Sequence, residues 1–237
     1  MSEFIFKKFT VRQKDSAAKI TTDATVFATQ LEIPDKVNRV LEIGTGTGVL
    51  SLILAQRFEN IHIDAIDINE KATNEARYNF NNSVWHERLN AVNVDFKQFN
   101  NDSKYDLIFT NPPFFNNHLQ SKSNQAKNTA YHTDQLSFHD LAKGIELNLA
   151  DGGELHIMLP EFEMKLFEME INKLGFNCFK SVCLMHKPNS KTIRLFKSFK
   201  REEISTKIQN GKIYIRDENN NFHPFYISLM KDFLTIF

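Results

Sequence analysis

The chain has 237 residues, 41% hydrophobic and 24% charged, with 29 basic residues balanced by 29 acidic ones. That length suits one large α/β domain, the composition is that of a folded globular protein, and no apolar run is long enough to span a bilayer. Glu3, Lys7 and Lys8 flank Phe4, Ile5 and Phe6 where a secretory leader would need an apolar core, so a cytoplasmic home is expected.

The chain opens on a basic, aromatic stretch. Residues 1–20 carry five basic and two acidic groups, and Lys8, Arg12 and Lys14, beside Phe6 and Phe9, can follow a nucleic-acid backbone. Arg39–Ile43, Ile61–Asp67, Leu89–Asp95, Tyr105–Thr110 and Glu154–Leu159 are short apolar runs that predict strands. Val49–Phe58, Glu70–Phe80 and Phe138–Leu149 lie between them and suit the crossover helices of a parallel sheet. Phe176–Met185 and Thr192–Phe199 predict an antiparallel pair at the sheet edge. The expected fold is α/β, with helices on both faces of a mainly parallel seven-stranded sheet that has an antiparallel edge strand. Residues 180–201 carry seven basic groups and no acidic one. Arg194 and Lys197 recur there at three-residue spacing with Lys191 and Lys200, which predicts a second RNA-facing surface; a solvated charged strand is the plainer alternative. Asn210-Gly211, between Ser205–Gln209 and Lys212–Arg216, predicts a hairpin. One domain over 1–237 is expected, with 1–37 an N-terminal segment and 202–237 a small C-terminal hairpin and tail. Cys178 and Cys183 match neither a redox pair nor a zinc site, and the histidines show no ligand spacing, so no metal is expected and His156 is read as packed.

Val40-Leu41-Glu42-Ile43-Gly44-Thr45-Gly46-Thr47-Gly48 places three glycines directly after a strand and before a helix, where a ligand can approach the backbone. A dinucleotide turn spaces its glycines G-x-G-x-x-G, whereas here the third comes one residue early and Glu42 precedes the first. The segment resembles the first motif of Rossmann-like methyltransferases, whose turn wraps the amino-acid end of S-adenosylmethionine (SAM). Asp67, closing the next strand, is placed for a ribose diol in either cofactor family. Asp95 stands where SAM methyltransferases bind the adenine edge, and Phe96 could pack on the ring; a helix cap and a core residue are the alternatives.

Tyr105–Thr110 delivers Asn111-Pro112-Pro113-Phe114 at the end of the fourth predicted strand. An adenine amine or a glutamine amide shares its lone pair with a π system and is a poor nucleophile. The Asn111 side-chain oxygen and the Pro112 carbonyl can each accept one of its N–H bonds and free that lone pair for a methyl group. Pro112 and Pro113 stiffen the loop, and Phe114 offers a stacking face.

Such motifs serve adenine, some guanine and glutamine methyltransferases. The glutamine enzymes carry a substantial helical domain ahead of the glycine turn, and 43 residues precede Gly44 here, which argues against a protein substrate. Phe6–Gln13 followed by Lys19-Ile20-Thr21-Thr22-Asp23 resembles the bacterial tRNA1(Val) adenine-N6 methyltransferase family, as do Ala130-Tyr131-His132-Thr133-Asp134 and the ending Lys231-Asp232-Phe233-Leu234. The resemblance implies that the N-terminal segment covers SAM through Thr22 and Asp23, which could instead cap a helix. It also implies that Tyr131 and His132 meet the substrate, with Tyr131 replacing the arginine many relatives carry. The partner it implies is tRNA at the anticodon stem-loop, bound by a monomer. A glutamine-N5 protein methyltransferase and a catalytically silent SAM- or NAD-binding module remain the alternatives.

Overall fold

From Val40 onward the strand Arg39–Ile43 is buried on both faces, as a central strand of a parallel sheet must be. It lies inside an eight-stranded sheet in a computed structural model that describes residues 3–14, 19–113, 136–202 and 207–237. In chain order the elements are β1 (Glu3–Ile5), β2 (Thr10–Arg12), α1 (Thr22–Gln30), β3 (Arg39–Ile43), α2 (Val49–Arg57), β4 (His62–Asp67), α3 (Glu70–Asn81), β5 (Leu89–Asn93) and β6 (Tyr105–Thr110). They continue with α4 (Phe138–Asn148), β7 (Leu149–Leu159), α5 (Glu161–Lys173), β8 (Asn177–Met185), β9 (Thr192–Lys200), β10 (Gln209–Tyr214) and α6 (Pro224–Met230).

The sheet order is β10-β8-β9-β7-β6-β3-β4-β5. Every neighbouring pair is parallel except those made by β9, which runs against both β7 and β8. Chain order steps outward from β3 to β4 and β5, then returns to β6 on the other side. The crevice above β3 and β6 is therefore the topological switch point, where open α/β sheets take ligands.

Two expectations need correction. The sheet has eight strands where seven are expected: the expected antiparallel pair, β8 and β9, is present, and the additional strand, β10, covers β8 in parallel register. Asn210-Gly211 makes no hairpin. Both residues lie within β10, neither has the positive φ that a type I′ turn requires, and Gly211 pairs with Val182, where an added Cβ would press to 3.3 Å on the valine. Backbone pairing along six residues of β8 outweighs a local turn preference.

Local chemistry accounts for the helix starts. The Asn69 side chain accepts from the N–H groups of Lys71 and Ala72 to open α3, and Ser137 caps α4 through Asp140 N while its own hydroxyl donates to the Asp140 carboxylate. α2 is buried from Val49 to Ala55 and owes its stability to packing on the sheet. α1, α2, α3 and α6 cover one face through residues such as Phe27, Leu52, Phe80 and Met230. α4 and α5 cover the other through Leu141, Ile145, Met164 and Phe167. The β1–β2 hairpin packs against the chain end, with Phe6 bridging Leu234 and the Lys7 ammonium donating to the main-chain oxygens of Lys231 and Phe237 at 2.6 Å.

Candidate active site

Gly44, Gly46 and Gly48 have φ of 74°, 55° and 79°, a left-handed conformation that costs other residues roughly 1–2 kcal/mol. The turn is tied to the end of β4, since Gly44 N and Thr45 N both donate to Ile66 O and Gly46 N donates to the Asp67 carboxylate at 2.9 Å. An added Cβ on Gly44 or Gly46 would meet nothing within 4 Å, so these two present bare backbone to open space. Gly48 differs. Its Cβ would lie 2.5 Å from the Phe80 ring, so this glycine serves close packing of α2 on α3 rather than a ligand-facing wall.

Beneath the turn, Glu42 is fully buried. Its Oε2 accepts hydrogen bonds from the hydroxyls of Thr45 and Ser51, while Oε1 has no partner among the described residues. Burial pushes its carboxyl up to about 7, the two hydroxyls oppose that rise, and the charge of Asp67 adds to it. Asp67 is held by Gly46 N on one oxygen and Asn69 N on the other, each of which leaves a lone pair for a hydroxyl.

Asn111 leaves β6 beside this turn. The β3–β6 register pairs Ile43 with Thr110, and the Thr110 hydroxyl donates to Ile43 O at 2.8 Å, so Gly44 and Asn111 emerge from adjacent strands at one level. The Asn111 Oδ1 atom is buried and has no hydrogen-bond partner among the described residues; Pro112 is buried and Pro113 exposed. A buried acceptor without a donor costs about 1–3 kcal/mol. Two such oxygens, Glu42 Oε1 and Asn111 Oδ1, flank a bare glycine backbone. That arrangement fits a cationic, hydroxyl-bearing cofactor such as SAM and a substrate N–H.

The other expected cofactor contacts are placed differently. Asp95 caps the short 3₁₀ turn Phe96–Gln98 by accepting from Lys97 N. Phe96 is a core residue, with its ring stacked on Phe99 and so close to Gly144 that a Cβ there would lie 2.4 Å away, so the ring is buried in the core and not presented to a cofactor. Thr22 is exposed at the start of α1, whose cap is Thr21, and the Asp23 carboxylate is taken by Arg194 at 2.9 Å. Asp23 is thus an ion-pair anchor instead of a free cofactor contact.

That pair also corrects the reading of the second basic block. Arg194 is occupied by Asp23, and Lys197 by Glu168 at 2.6 Å, both with largely buried side chains. Lys180 pairs with Glu32, Lys200 with Glu202 and Arg201 with Glu146. At the other block Lys8 is exposed, Lys14 is fixed through its backbone N–H to Glu75, and Arg12 lies 5.1 Å over the Tyr78 ring and 3.7 Å from Glu75. Phe114, Tyr131 and His132 lie outside the described residues. His156 is buried against Ser198, its Nδ1 2.7 Å from the hydroxyl.

The sequence reading missed Asn79. Its Oδ1 accepts from Arg12 N, and its Nδ2 donates to Arg12 O and to Thr47 O, so one buried amide joins the N-terminal arm to the glycine turn. The available signal was that Glu75 and Asn79, four residues apart, fall on the same helix face as Ala72, Ala76 and Phe80, where polar groups need partners.

A switch-point crevice walled by a three-glycine bend and an unsatisfied asparagine defines a class, the Rossmann-like SAM-dependent methyltransferases. Residues 15–163 match the family model described as "Methyltransferase small domain". A relative from Dyadobacter fermentans, named tRNA1(Val) (adenine(37)-N6)-methyltransferase, is 35% identical over 98% of this chain and 97% of its own. One of the same name from Trichodesmium erythraeum is 31% identical over 98% and 97%. A solved structure of a predicted O-methyltransferase from Agrobacterium tumefaciens superposes with a TM-score of 0.69 at 15% identity, covering 88% of this chain and 95% of that one, and supports the fold. The chain belongs to the tRNA1(Val) (adenine(37)-N6)-methyltransferase family.

Proposed function

We propose that this protein methylates the exocyclic N6 of adenosine 37 in tRNA1(Val), reading the anticodon stem-loop as a monomer and without a metal. The nearly full-length similarity to relatives of that name supports the substrate. The observation that carries the chemistry is the buried Asn111 Oδ1, without a hydrogen-bond partner among the described residues, at the level of Gly44.

SAM, when bound at the turn, supplies an electrophilic methyl on a cationic sulfur. The chain's part is to present the nucleophile. Asn111 Oδ1 and the Pro112 carbonyl accept the two N–H bonds of the adenine amine, which draws its lone pair out of conjugation and holds the nitrogen as it becomes tetrahedral. Pro112 and Pro113 fix the loop so that little reorganisation remains. After transfer the amine carries one proton too many and releases it to water, so no strong base is required. Gly44 and Gly46 keep the backbone open to the cofactor, Asp67 offers acceptors for its hydroxyls, and Glu42 ionises when positive charge approaches. The base reaches the crevice by extrusion from its stack, which costs a few kcal/mol and least in a loop.

Nucleoside mass spectrometry of individual tRNAs from cells with and without the gene tests the substrate. One N6-methyladenosine disappears from tRNA1(Val) if the proposal holds, and an unchanged profile sinks it. Labelled methyl transfer into a release factor but not into tRNA would select the glutamine reading. With purified protein, Asn111→Ala lowers turnover by about 10²-fold or more while SAM affinity stays close to normal; near-normal turnover would remove Asn111 from the machinery.

A further inference from the structure

We propose that the cleft between the N-terminal arm and α3 is a subsite for an unpaired ribonucleotide flanking the methylated base, with the base against Tyr78 and the phosphate on Lys8 and Arg12. The proposal rests on RNA being the substrate and adds where a second nucleotide is held.

The cleft is a concavity of about 540 Å³, within the range of ligand sites. Lys7, Lys8 and Arg12 line it with one acidic lining residue, Glu3, and the buried Glu75 carboxylate lies 3.7 Å behind Arg12, so Lys8 carries the exposed charge. The Lys7 ammonium is spent on the main-chain oxygens of Lys231 and Phe237, and Lys8 projects into solvent. Beside them Tyr78 is 47% exposed, an aromatic ring outside both core clusters. The Arg12 guanidinium lies over it at 5.1 Å, which makes a cation–aromatic platform of the kind that stacks bases. Asn82 adds a polar edge, its Nδ2 donating to Tyr78 O so that its amide oxygen stays available to a base.

The platform is rigid before any ligand arrives. Asn79 holds both the N–H and the carbonyl of Arg12, and Glu75 accepts Lys14 N at 2.6 Å, so the arm is pinned to α3 at two successive turns. Asn79 also donates to Thr47 O of the glycine turn, which puts the cleft one side chain away from the cofactor bend. A strand that delivers its base to Asn111 therefore has a charged aromatic surface close by. The mixture of cations, amides and one exposed ring suits a phosphate-bearing base better than an apolar peptide.

The test uses the full chain. Affinity for a fluorescent single-stranded oligoribonucleotide, KM and kcat for tRNA, and SAM affinity are measured for the wild type, Tyr78→Ala, Tyr78→Phe and Lys8→Glu. Tyr78→Ala should weaken oligonucleotide binding and raise the tRNA KM by roughly fivefold or more, the low end for loss of a stacked base. SAM affinity and kcat at saturating tRNA should stay unchanged, and Tyr78→Phe should restore binding. Wild-type binding and KM in Tyr78→Ala with SAM affinity intact would overturn the proposal. Should Tyr78→Ala lose SAM binding, Lys8→Glu at an exposed position decides: a KM raised about tenfold upholds the subsite, and an unchanged one overturns it. If no tRNA accepts a methyl group from the wild type, the substrate reading fails, and the oligonucleotide measurement still judges the cleft.

Discussion

The N-terminal arm and the β8–β9 ladder are the two basic regions of the chain, and the fold treats them oppositely. Of the seven cations between Lys180 and Arg201, five have a carboxylate within 3 Å, supplied by Glu32, Asp23, Glu168, Glu202 and Glu146. Four of those acids come from α1, the loop after it, α4 and α5, far away in sequence. At the arm, Lys8 stays exposed, Lys7 donates to the main-chain oxygens of Lys231 and Phe237, and Arg12 lies farther from its carboxylate, 3.7 Å from Glu75. A run of like charge thus measures neither field nor partner until the acids that fold onto it are known. The ladder's cations hold helices to the sheet through close ion pairs, whereas Lys8 of the arm faces outward.

The sharpest departure from pairing is Glu42, a buried acid with no cation on it among the described residues. Its folded pKa, about 7, lies above the ordinary 4.5, so the folded state keeps the proton longer than the unfolded chain does. Stability from this group is full below the unfolded value and is lost as pH rises from about 4.5 to about 7, by up to roughly 3 kcal/mol. Denaturant titrations of the cofactor-free protein should show that fall, and Glu42→Gln should flatten it while weakening SAM binding. A Glu42→Gln protein with the wild-type pH profile would assign the slope to another group.

Next in size is Arg194→Ala, which strands the mostly buried Asp23 at the start of α1. We expect a loss of about 1–3 kcal/mol in stability, with the salt dependence of tRNA binding unchanged. A smaller salt slope without a stability loss would return Arg194 to the RNA surface and erase the contrast between the regions. Lys197→Met, which keeps much of the stem's packing but leaves Glu168 unpaired, should cost about 1 kcal/mol in thermal or chemical unfolding. At the bottom of the scale, Lys8→Ala should leave stability within about 0.5 kcal/mol of wild type. It should instead reduce the slope of log affinity for RNA against log salt by roughly 0.7. An unaltered slope would show that the arm carries no phosphate contact at that residue.

Period and punctuation in the sequence were sufficient for the central architecture. Arg39–Ile43 and Tyr105–Thr110 are strands with the expected bounds, and α2, α3 and α4 end within one residue of expectation. Buried parallel strands and crossover helices write their own signature because each element must satisfy its backbone and bury its apolar face locally. Glycines at positive φ and the Asn-Pro-Pro turn were legible for the same reason, being demands of the backbone at one point in the chain.

What the sequence could not decide were choices between a local preference and a distant partner. Asn210-Gly211 prefers a turn, yet β8 offered a longer ladder. Phe96 follows a strand end as a cofactor residue might, yet Gly144 of α4 left a space that fits its ring. Asp23 and Arg194 are 171 positions apart and both polar, and nothing between them announces that they meet. Asn79 looks like any helix-face amide until Arg12 and Thr47 converge on it. Propensity and pattern act over a few residues, whereas pairing of charge, filling of voids and satisfaction of buried amides depend on which surfaces the whole fold brings within a few ångströms.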